Sequence, residues 1–448
     1  MRNRRAFETP GGGSSPRREV LGAPHEPLVA VLADDARDAP ETLQIFGGLA
    51  EHGAGYRLGR DAWQTEVQLR LRAGSAPLNH PPVRTPPPEV RLLDNGLTVQ
   101  LVPLPHLHSA FVGHFVRVGS RHESAATNGL SHFLEHMLFR GCDGFASPGE
   151  LNAAIEDLGG QWDGFTTRDY TGYQTGVHPA GAPETIEILG RMVQTPSYRD
   201  IEVERRIVVE EMLDALDERG RNIELDTVAH DHAFGDHALA WPIEGRRKNL
   251  DAFDVAALED HRRRFYGAKN SVLCVAGAFD RAKTNRAIDR AFGGLFSGRR
   301  RTDRPRPRLL EPPKPLRYVH DPGPQSRIRI SFRVAPEHHD DHRSLVLLRR
   351  WLDGGLSARL QVELVDRLGL AYEVGASLES YSDVGVFDFE LNTAHEHLAD
   401  AIDALGDLLA ETREASLDAE AFARVQRRAQ NYLDFMRDAP ADLGSYYA

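Results

Sequence analysis

A short run of histidine and glutamate residues near the middle of the chain has the spacing expected of a metal site. The segment NGLSHFLEHMLFRG contains His132, Glu135 and His136, which form the pattern H-x-x-E-H. On an α-helix, residues four apart lie one turn apart on the same face, so both imidazoles can face one cation. Apolar residues on the other faces predict a buried helix, with Asn128 as a possible N-cap and Gly141 as its stop. A metal ion bound there would be shielded from bulk water.

A third ligand is available 75 residues after His136. The segment IEVERRIVVEEMLDALDE places Glu204 and Glu211 seven residues apart, on one face of a predicted helix. Glu210 points about 100° away and is better explained as a solvated carboxylate. Two imidazoles and one carboxylate leave a fourth position open, which is typical of catalytic zinc. Glu135 would then accept a proton from water, although a metal-free polar network of buried histidines is the alternative.

Composition excludes several classes of protein. The 448 residues include 66 acidic and 54 basic side chains, a net charge of −12, which argues against binding to a nucleic-acid backbone. No apolar run reaches the ~18 residues of a transmembrane helix. Two cysteines, Cys142 and Cys274, cannot form a disulfide framework. The N-terminus has no apolar signal segment, so we expect a cytoplasmic protein by default.

The elements that would position this site follow a proline-rich region. Residues 1–87 are predicted to be a Pro/Gly-rich extension of unassigned role, because residues 1–90 hold 11 of the 27 prolines. From residue 89, alternating segments predict strands, and helices are predicted at about 181–195 and 198–219. We therefore predict an α+β fold with helices packed on a mostly antiparallel sheet.

The pattern recurs with an offset of 210 residues, which predicts two homologous α/β units. The first covers residues 88–297 and is the predicted catalytic domain. A basic Pro/Arg-rich linker covers 298–313, and the second unit covers 314–448. Since the second unit has only 135 residues, we expect it to lack its last helices.

The second unit is predicted to be non-catalytic. Opposite Glu135, His136 and Glu211 it has Leu345, Val346 and Ala421. His342 alone matches a metal-site residue, His132 of the first unit, and we attribute that match to chance.

Several ordered motifs resemble the inverted-motif zinc metallopeptidases, the family of pitrilysin, insulin-degrading enzyme and the mitochondrial processing peptidases. The resemblance covers roughly residues 88–448. The motifs that carry it are NGLTVQLVP, VGSRHES, GLSHFLEHMLFRG, ELNAAIEDLGG, DGFTTRDYTGY, IEVERRIVVEEM, LDGGLSARLQ and LGLAYEV.

This resemblance implies roles for individual residues. One zinc ion per chain would be bound by His132, His136 and Glu211, with Glu135 as the general base. Glu204 would support the metal histidines as a further catalytic residue. The stretch DGFTTRDYTGY would be an edge strand that pairs with extended peptides, and the candidate substrate-binding residues are Phe165, Thr166 and Tyr372.

Three departures from the family pattern bear on activity. Asp163-Gly164 stands where the family usually has Asn-Ala, Val365 occupies a position usually held by Arg, and the second unit is short. We therefore retain three hypotheses: a zinc endopeptidase acting on extended peptides, a non-catalytic or partner-dependent scaffold subunit, and a shortened gene product with an incomplete fold. By resemblance, we expect a homodimer or a heterodimer with a related subunit.

Overall fold

A computed structural model describes residues 87–301, 317–320, 323–415 and 417–448. The predicted N-terminal extension, apart from Pro87, lies outside these residues, as does the predicted linker from residue 302 onward. Among the described helices, none combines the length and apolar composition needed to cross a membrane.

The first unit contains a six-stranded sheet with β4 at one edge. Its spatial order is β1-β2-β6-β3-β5-β4, and every neighbouring pair is antiparallel except β2 and β6. This arrangement confirms the predicted fold class. The strands are β1 Glu89–Leu92, β2 Thr98–Pro103, β3 Ala110–Val116, β4 Asp163–Thr166, β5 Thr171–Val177 and β6 Ser271–Gly277.

The helices of the first unit pack around one apolar core with this sheet. Helix α1 lies deep in that core, because Phe133, Leu134, Met137 and Leu138 are all fully buried. The helices are α1 Leu130–Leu138, α2 Pro148–Glu156, α3 Ala182–Gln194, α4 Ile201–Asp214, α5 Leu225–Phe234, α6 Arg247–Leu250, α7 Val255–Phe265 and α8 Arg281–Phe292. Short 3₁₀ turns cover Ser120–His122, Pro179–Gly181, Ala238–Ala240 and Ala268–Asn270.

The helix predicted over 198–219 is shorter at both ends. Tyr198 and Asp200 have φ angles of 49° and 54°, a left-handed conformation that a right-handed helix cannot include. At the other end, the Asp217 carboxylate accepts hydrogen bonds from the backbone amides of Arg219 and Arg221, which forms a turn in place of the helix. Helix α4 therefore ends at Asp214, still long enough to include both candidate glutamates.

The second unit contains a three-stranded antiparallel sheet in the order β7-β9-β8. Apolar side chains from the sheet and from the helices form a second core, which includes Ile328, Phe387, Phe389 and Leu405. The strands are β7 Ser326–Val334, β8 Glu373–Ser380 and β9 Gly385–Thr393. The helices are α9 His342–Leu352, a π-helix Gln361–Arg367, a 3₁₀ turn His395–His397, α10 Leu398–Glu414, α11 Ala419–Met436 and α12 Pro440–Tyr447.

One helix from each unit packs against the sheet of the other unit. Helix α12 packs on the first sheet, where Leu443 joins the apolar cluster of Phe111 and Phe115. Gly444 is required for this contact, since a Cβ there would lie 2.4 Å from the ring of Phe111. Helix α5 packs in turn against β7 of the second sheet. The two units therefore contact each other through helix–sheet packing in both directions.

Candidate metal centre and catalytic site

Helix α1 brings the two histidines of the H-x-x-E-H pattern to a common point. The Nε2 atoms of His132 and His136 lie 3.3 Å apart. The helix begins at Leu130, and its N-cap is Gly129, so the prediction of Asn128 as N-cap is wrong. The physical reason is that Gly129 adopts φ 99°, while the Asn128 side chain turns away to donate to the Pro242 carbonyl oxygen.

Glu211, on helix α4, lies next to both histidines. Its Oε1 lies 3.6 Å from His132 Nε2, and its Oε2 lies 3.5 Å from His136 Nε2. Zinc–nitrogen bonds of about 2.0–2.1 Å place neighbouring ligand atoms of a tetrahedron about 3.3–3.4 Å apart. The three side chains therefore have both the donor chemistry and the spacing that fit one zinc ion. The Glu211 side chain is 45% exposed, which leaves one side of the cluster open.

The charges of these three side chains are strongly coupled. Hydrogen bonds from His132 and His136 hold the pKa of Glu211 well below its usual range. Burial disfavours the imidazolium of His136, but hydrogen bonds to Glu204 and Glu211 outweigh burial and raise its pKa to about 10. A cation bound at the Nε2 atoms takes the place of imidazole protons, so metal binding here would release protons.

Glu204, in the first turn of α4, fixes the orientation of one imidazole. His136 Nδ1 donates to Glu204 Oε1 at 2.8 Å, which directs Nε2 of the same ring toward Glu211. Arg140 donates to the other Glu204 oxygen at 3.4 Å and to Asp200 at 2.9 Å. Sequence reasoning did not identify Arg140, which lies two residues beyond the end of α1.

Glu135 lies between this cluster and the edge strand β4. Its side chain is 6% exposed, and burial raises its pKa, against the opposing effect of the two neighbouring histidines. A Cβ built on Gly164 would lie 2.6 Å from Glu135 Oε1, so this carboxylate lies directly against the backbone of β4. A carboxylate with a raised pKa in a buried cleft is suited to general-base chemistry.

The three predicted substrate-binding residues lie in different places. Phe165 and Thr166 both belong to β4, whose only paired neighbour among the described strands is β5. Side chains alternate along a strand, so Thr166 shares the face of Gly164 and Glu135, while Phe165 packs on the other face against Phe115. Tyr372 belongs to the second unit, where it is 86% exposed. Its backbone amide donates to the Asn392 carbonyl oxygen, beside β8.

A second cluster of metal-ligand residue types lies where the two units meet. His230 and Asp226 come from α5, and Glu379 comes from β8. His230 Nδ1 lies 3.2 Å from Asp226 Oδ1, and its Nε2 lies 3.1 Å from Glu379 Oε2. Arg168 and Arg329 each donate to an oxygen of Asp226 at 2.7 Å. Because guanidinium groups already neutralise these carboxylates, we interpret this cluster as an ion-pair network.

The other residues considered in the sequence analysis make packing or hydrogen-bonding contacts. His342, opposite His132 in the second unit, lies 3.3 Å from the Ser380 hydroxyl. Leu345 belongs to the apolar core of the second unit, and Val365 packs against that core. Burial raises the pKa of the Cys142 thiol to about 11, so this side chain stays protonated at neutral pH.

Two family models match the chain. The model described as insulinase (peptidase family M16) matches residues 99–246, which include the metal-site residues. The model described as peptidase M16 inactive domain matches residues 252–429.

Relatives with high similarity carry the name of zinc proteases. An uncharacterized zinc protease of Mycobacterium tuberculosis is 30% identical over 327 residues, which cover 72% of this chain and 74% of that relative. An uncharacterized zinc protease of Bacillus subtilis is 27% identical over 322 residues, which cover 70% and 76% of the two chains.

Solved structures share the fold at low sequence identity. A protease from Helicobacter pylori superposes with a TM-score of 0.68 and 20% identity, over 80% of this chain and 88% of that one. A peptidase M16 inactive domain from Pseudomonas fluorescens superposes with a TM-score of 0.70 and 17% identity, over 80% and 87%. Together with the family models and the relatives, these likenesses confirm the resemblance found in the sequence motifs: the chain belongs to the insulinase family of peptidases, family M16.

Proposed function

We propose that this protein is a zinc-dependent endopeptidase that hydrolyses extended peptides or unfolded segments. The observation that carries the proposal is the convergence of His132, His136 and Glu211 on one point, beside the buried carboxylate of Glu135. The names of the relatives, zinc proteases, support the same conclusion.

Each residue of the cluster has a defined task in this proposal. One zinc ion, bound by His132, His136 and Glu211, would polarise a water molecule and the substrate carbonyl. Glu135 accepts the proton of the attacking water and passes it to the leaving amine. Glu204 holds the His136 ring in place through its Nδ1 hydrogen bond.

The edge strand β4 supports the preference for extended substrates. A strand with one unpaired edge presents free backbone donors and acceptors, which can pair with an added strand. Because Glu135 contacts the backbone of β4 at Gly164, a peptide paired along this edge would pass close to the base. In this proposal Thr166 and Phe165 line the paired segment, and Tyr372 contributes from the second unit.

A partner-dependent scaffold subunit is the second candidate function. It is supported by the match of residues 252–429 to an inactive-domain model. Val365, at the position where the family usually has Arg, removes one group expected to hold the substrate carbonyl. Under this alternative the chain acts within a homodimer or within a heterodimer with a related subunit.

Hydrolysis of a mixed pool of unstructured peptides separates the two candidates. For the endopeptidase we expect cleavage that a chelator abolishes and that added zinc restores. Glu135→Gln should retain zinc and lower kcat by about 10²- to 10⁴-fold, since it removes the general base. Glu210→Gln, an exposed glutamate on α4, is the matched control and should have wild-type activity. Cleavage by Glu135→Gln at the wild-type rate would contradict the assigned base.

A further inference from the structure

A buried carboxylate lies under the first turn of helix α1. Glu123 is 2% exposed and comes from the segment just before the helix. Its Oε1 accepts a hydrogen bond from the Ser131 backbone amide at 2.7 Å, and its Oε2 accepts from the Gly129 backbone amide at 2.8 Å. The Asn128 side chain donates to the same Oε2 at 3.1 Å. One side chain therefore satisfies three donors at the helix N-terminus.

Helix α1 needs this outside acceptor because its own N-cap cannot supply one. The N-cap residue is Gly129, which has no side chain, and its φ of 99° disfavours any residue with a Cβ. A Cβ at Gly129 would also lie 2.6 Å from the Glu244 carbonyl oxygen. The first amides of a helix lack partners within the helix and usually depend on a capping side chain. Glu123 takes that role from six residues away.

The same contacts connect the cap to the metal-site residues. Ser131, whose amide binds Glu123, directly precedes His132 in the first turn. The Ser131 hydroxyl forms a hydrogen bond with His261 Nε2 of α7 at 3.1 Å. Asn128 also donates to the Pro242 carbonyl oxygen at 2.9 Å. The first turn of α1 is thus held from three sides, and Glu123 contributes the charged contact.

Two opposing effects act on the charge of the Glu123 carboxyl group. Burial raises the pKa of Glu123 to about 7, and the hydrogen bonds from Ser131 and Gly129 oppose that rise. The positive end of the helix dipole also stabilises a carboxylate at the N-terminus. Removing the carboxylate would leave buried amides without partners, at a cost in stability.

We infer that Glu123 is a positioning residue for the metal site, because it fixes the first turn of α1 and with it the ring of His132. This inference rests on the proposed function in one respect, the binding of zinc at His132, His136 and Glu211. Glu123 itself contacts neither the metal nor the substrate in this proposal. Its effect should therefore be on metal affinity and ligand geometry.

The test compares zinc affinity in three variants of the full chain, measured by competition with a chromophoric chelator. We expect Glu123→Ala to weaken zinc binding by roughly 10- to 100-fold, the usual effect of losing a group that orients a metal ligand. Glu123→Gln keeps one acceptor oxygen and should lose less. The matched control is Glu224→Gln, because Glu224 also caps a helix, α5, through two backbone amides. It should bind zinc like the wild type.

Cobalt substitution adds a readout that a general loss of stability would not change. The visible absorption bands of bound cobalt report ligand geometry, and we expect them to shift in Glu123→Gln but not in Glu224→Gln. Wild-type zinc affinity and cobalt bands in Glu123→Gln would overturn the inference, even if Glu123→Ala does not fold. A wild-type chain that binds zinc but cleaves no peptide would contradict the proposed function alone and leave this comparison valid. A wild-type chain that binds no zinc would overturn both.

Discussion

Two clusters among the described residues contain the same kinds of side chain, with ligand atoms within 4.8 Å of one another, but they differ in the direction of their donors and in the charges around them. In the first, the Nε2 atoms of His132 and His136 and the carboxylate of Glu211 converge within 3.3–3.6 Å. In the second, the Asp226 carboxylate lies beside Nδ1 of His230 and the Glu379 carboxylate lies beside its Nε2. One ion can contact the donor atoms of all three residues in the first cluster. In the second cluster the two carboxylates face different ring nitrogens of the histidine, so the donors do not face one common point.

The neighbouring charges separate the two clusters further. Arg168 and Arg329 both bind Asp226, and Arg329 also pairs with Glu390. At the first cluster, the contact of Arg140 is with Glu204, which orients a histidine, and Glu211 remains partly exposed. Residue types therefore indicate a metal site only together with the direction of their lone pairs and the cations around them.

Replacing one histidine in each cluster should give the largest contrast. His136→Ala removes a proposed ligand, and we expect it to abolish stoichiometric zinc binding and peptide hydrolysis. His230→Ala should retain one zinc ion per chain but unfold at lower denaturant concentration, because it removes one of the partners that Asp226 and Glu379 share. Zinc content by elemental analysis and unfolding curves would check both results. Loss of zinc in His230→Ala with retention in His136→Ala would reverse our assignment of the clusters.

Removing a buried cation from the second cluster should produce a large change in stability. Arg168→Met keeps much of the side-chain volume but removes a positive charge that neutralises Asp226 and Glu379. Breaking such a buried pair costs about 3–5 kcal/mol. The control is Arg317→Met, since Arg317 pairs with Asp231 of the same helix at the surface. An exposed pair is worth about 0–1 kcal/mol. Equal losses in chemical denaturation would show that burial does not distinguish these ion pairs.

A smaller effect is expected when the support of the first cluster is weakened. Glu204→Gln keeps the shape of the side chain but removes the charge that binds His136 Nδ1, and zinc affinity should fall by roughly 10- to 100-fold. Glu202→Gln, an exposed neighbour on α4, should leave affinity unchanged. Isothermal titration with zinc would measure both variants. An unchanged affinity in Glu204→Gln would mean that packing alone orients the imidazole.

The smallest effect should appear in the pH dependence of stability. Burial and Arg168 oppose the charged form of His230, but hydrogen bonds to Asp226 and Glu379 outweigh them and raise its pKa to about 9. Because this pKa lies above the unfolded value, the stabilisation is complete below about pH 6.5 and is lost as the pH rises through 9. Between pH 7 and 8 one such group changes stability by at most about 1.4 kcal/mol. The difference between the wild type and His230→Gln should shrink with rising pH, and a pH-independent difference would contradict this.

Local patterns in the sequence account for much of the fold. Alternation predicted β1 to β3, and helical spacing predicted α1 and α4, because these signals depend on residues a few positions apart. The H-x-x-E-H spacing also placed both histidines correctly on one face of α1. The predicted ends of α4 were wrong. The left-handed Asp200 and the turn at Asp217 interrupt the helix, although the apolar spacing alone would continue it.

Contacts between distant segments could not be predicted in the same way. Glu123 caps α1 because Gly129 leaves no room for a side chain, which is visible only once the Glu244 carbonyl is beside it. The His230–Glu379 contact joins residues of different units. Both depend on the packing of segments that the sequence places far apart, and neither leaves a periodic signal.

Zinc-edge anomalous diffraction from crystals of the zinc-loaded protein tests the central claim most directly. Our account predicts one strong anomalous peak between His132, His136 and Glu211, and none between Asp226, His230 and Glu379. A peak at the second cluster, or zinc-loaded crystals without a peak at the first, would contradict it.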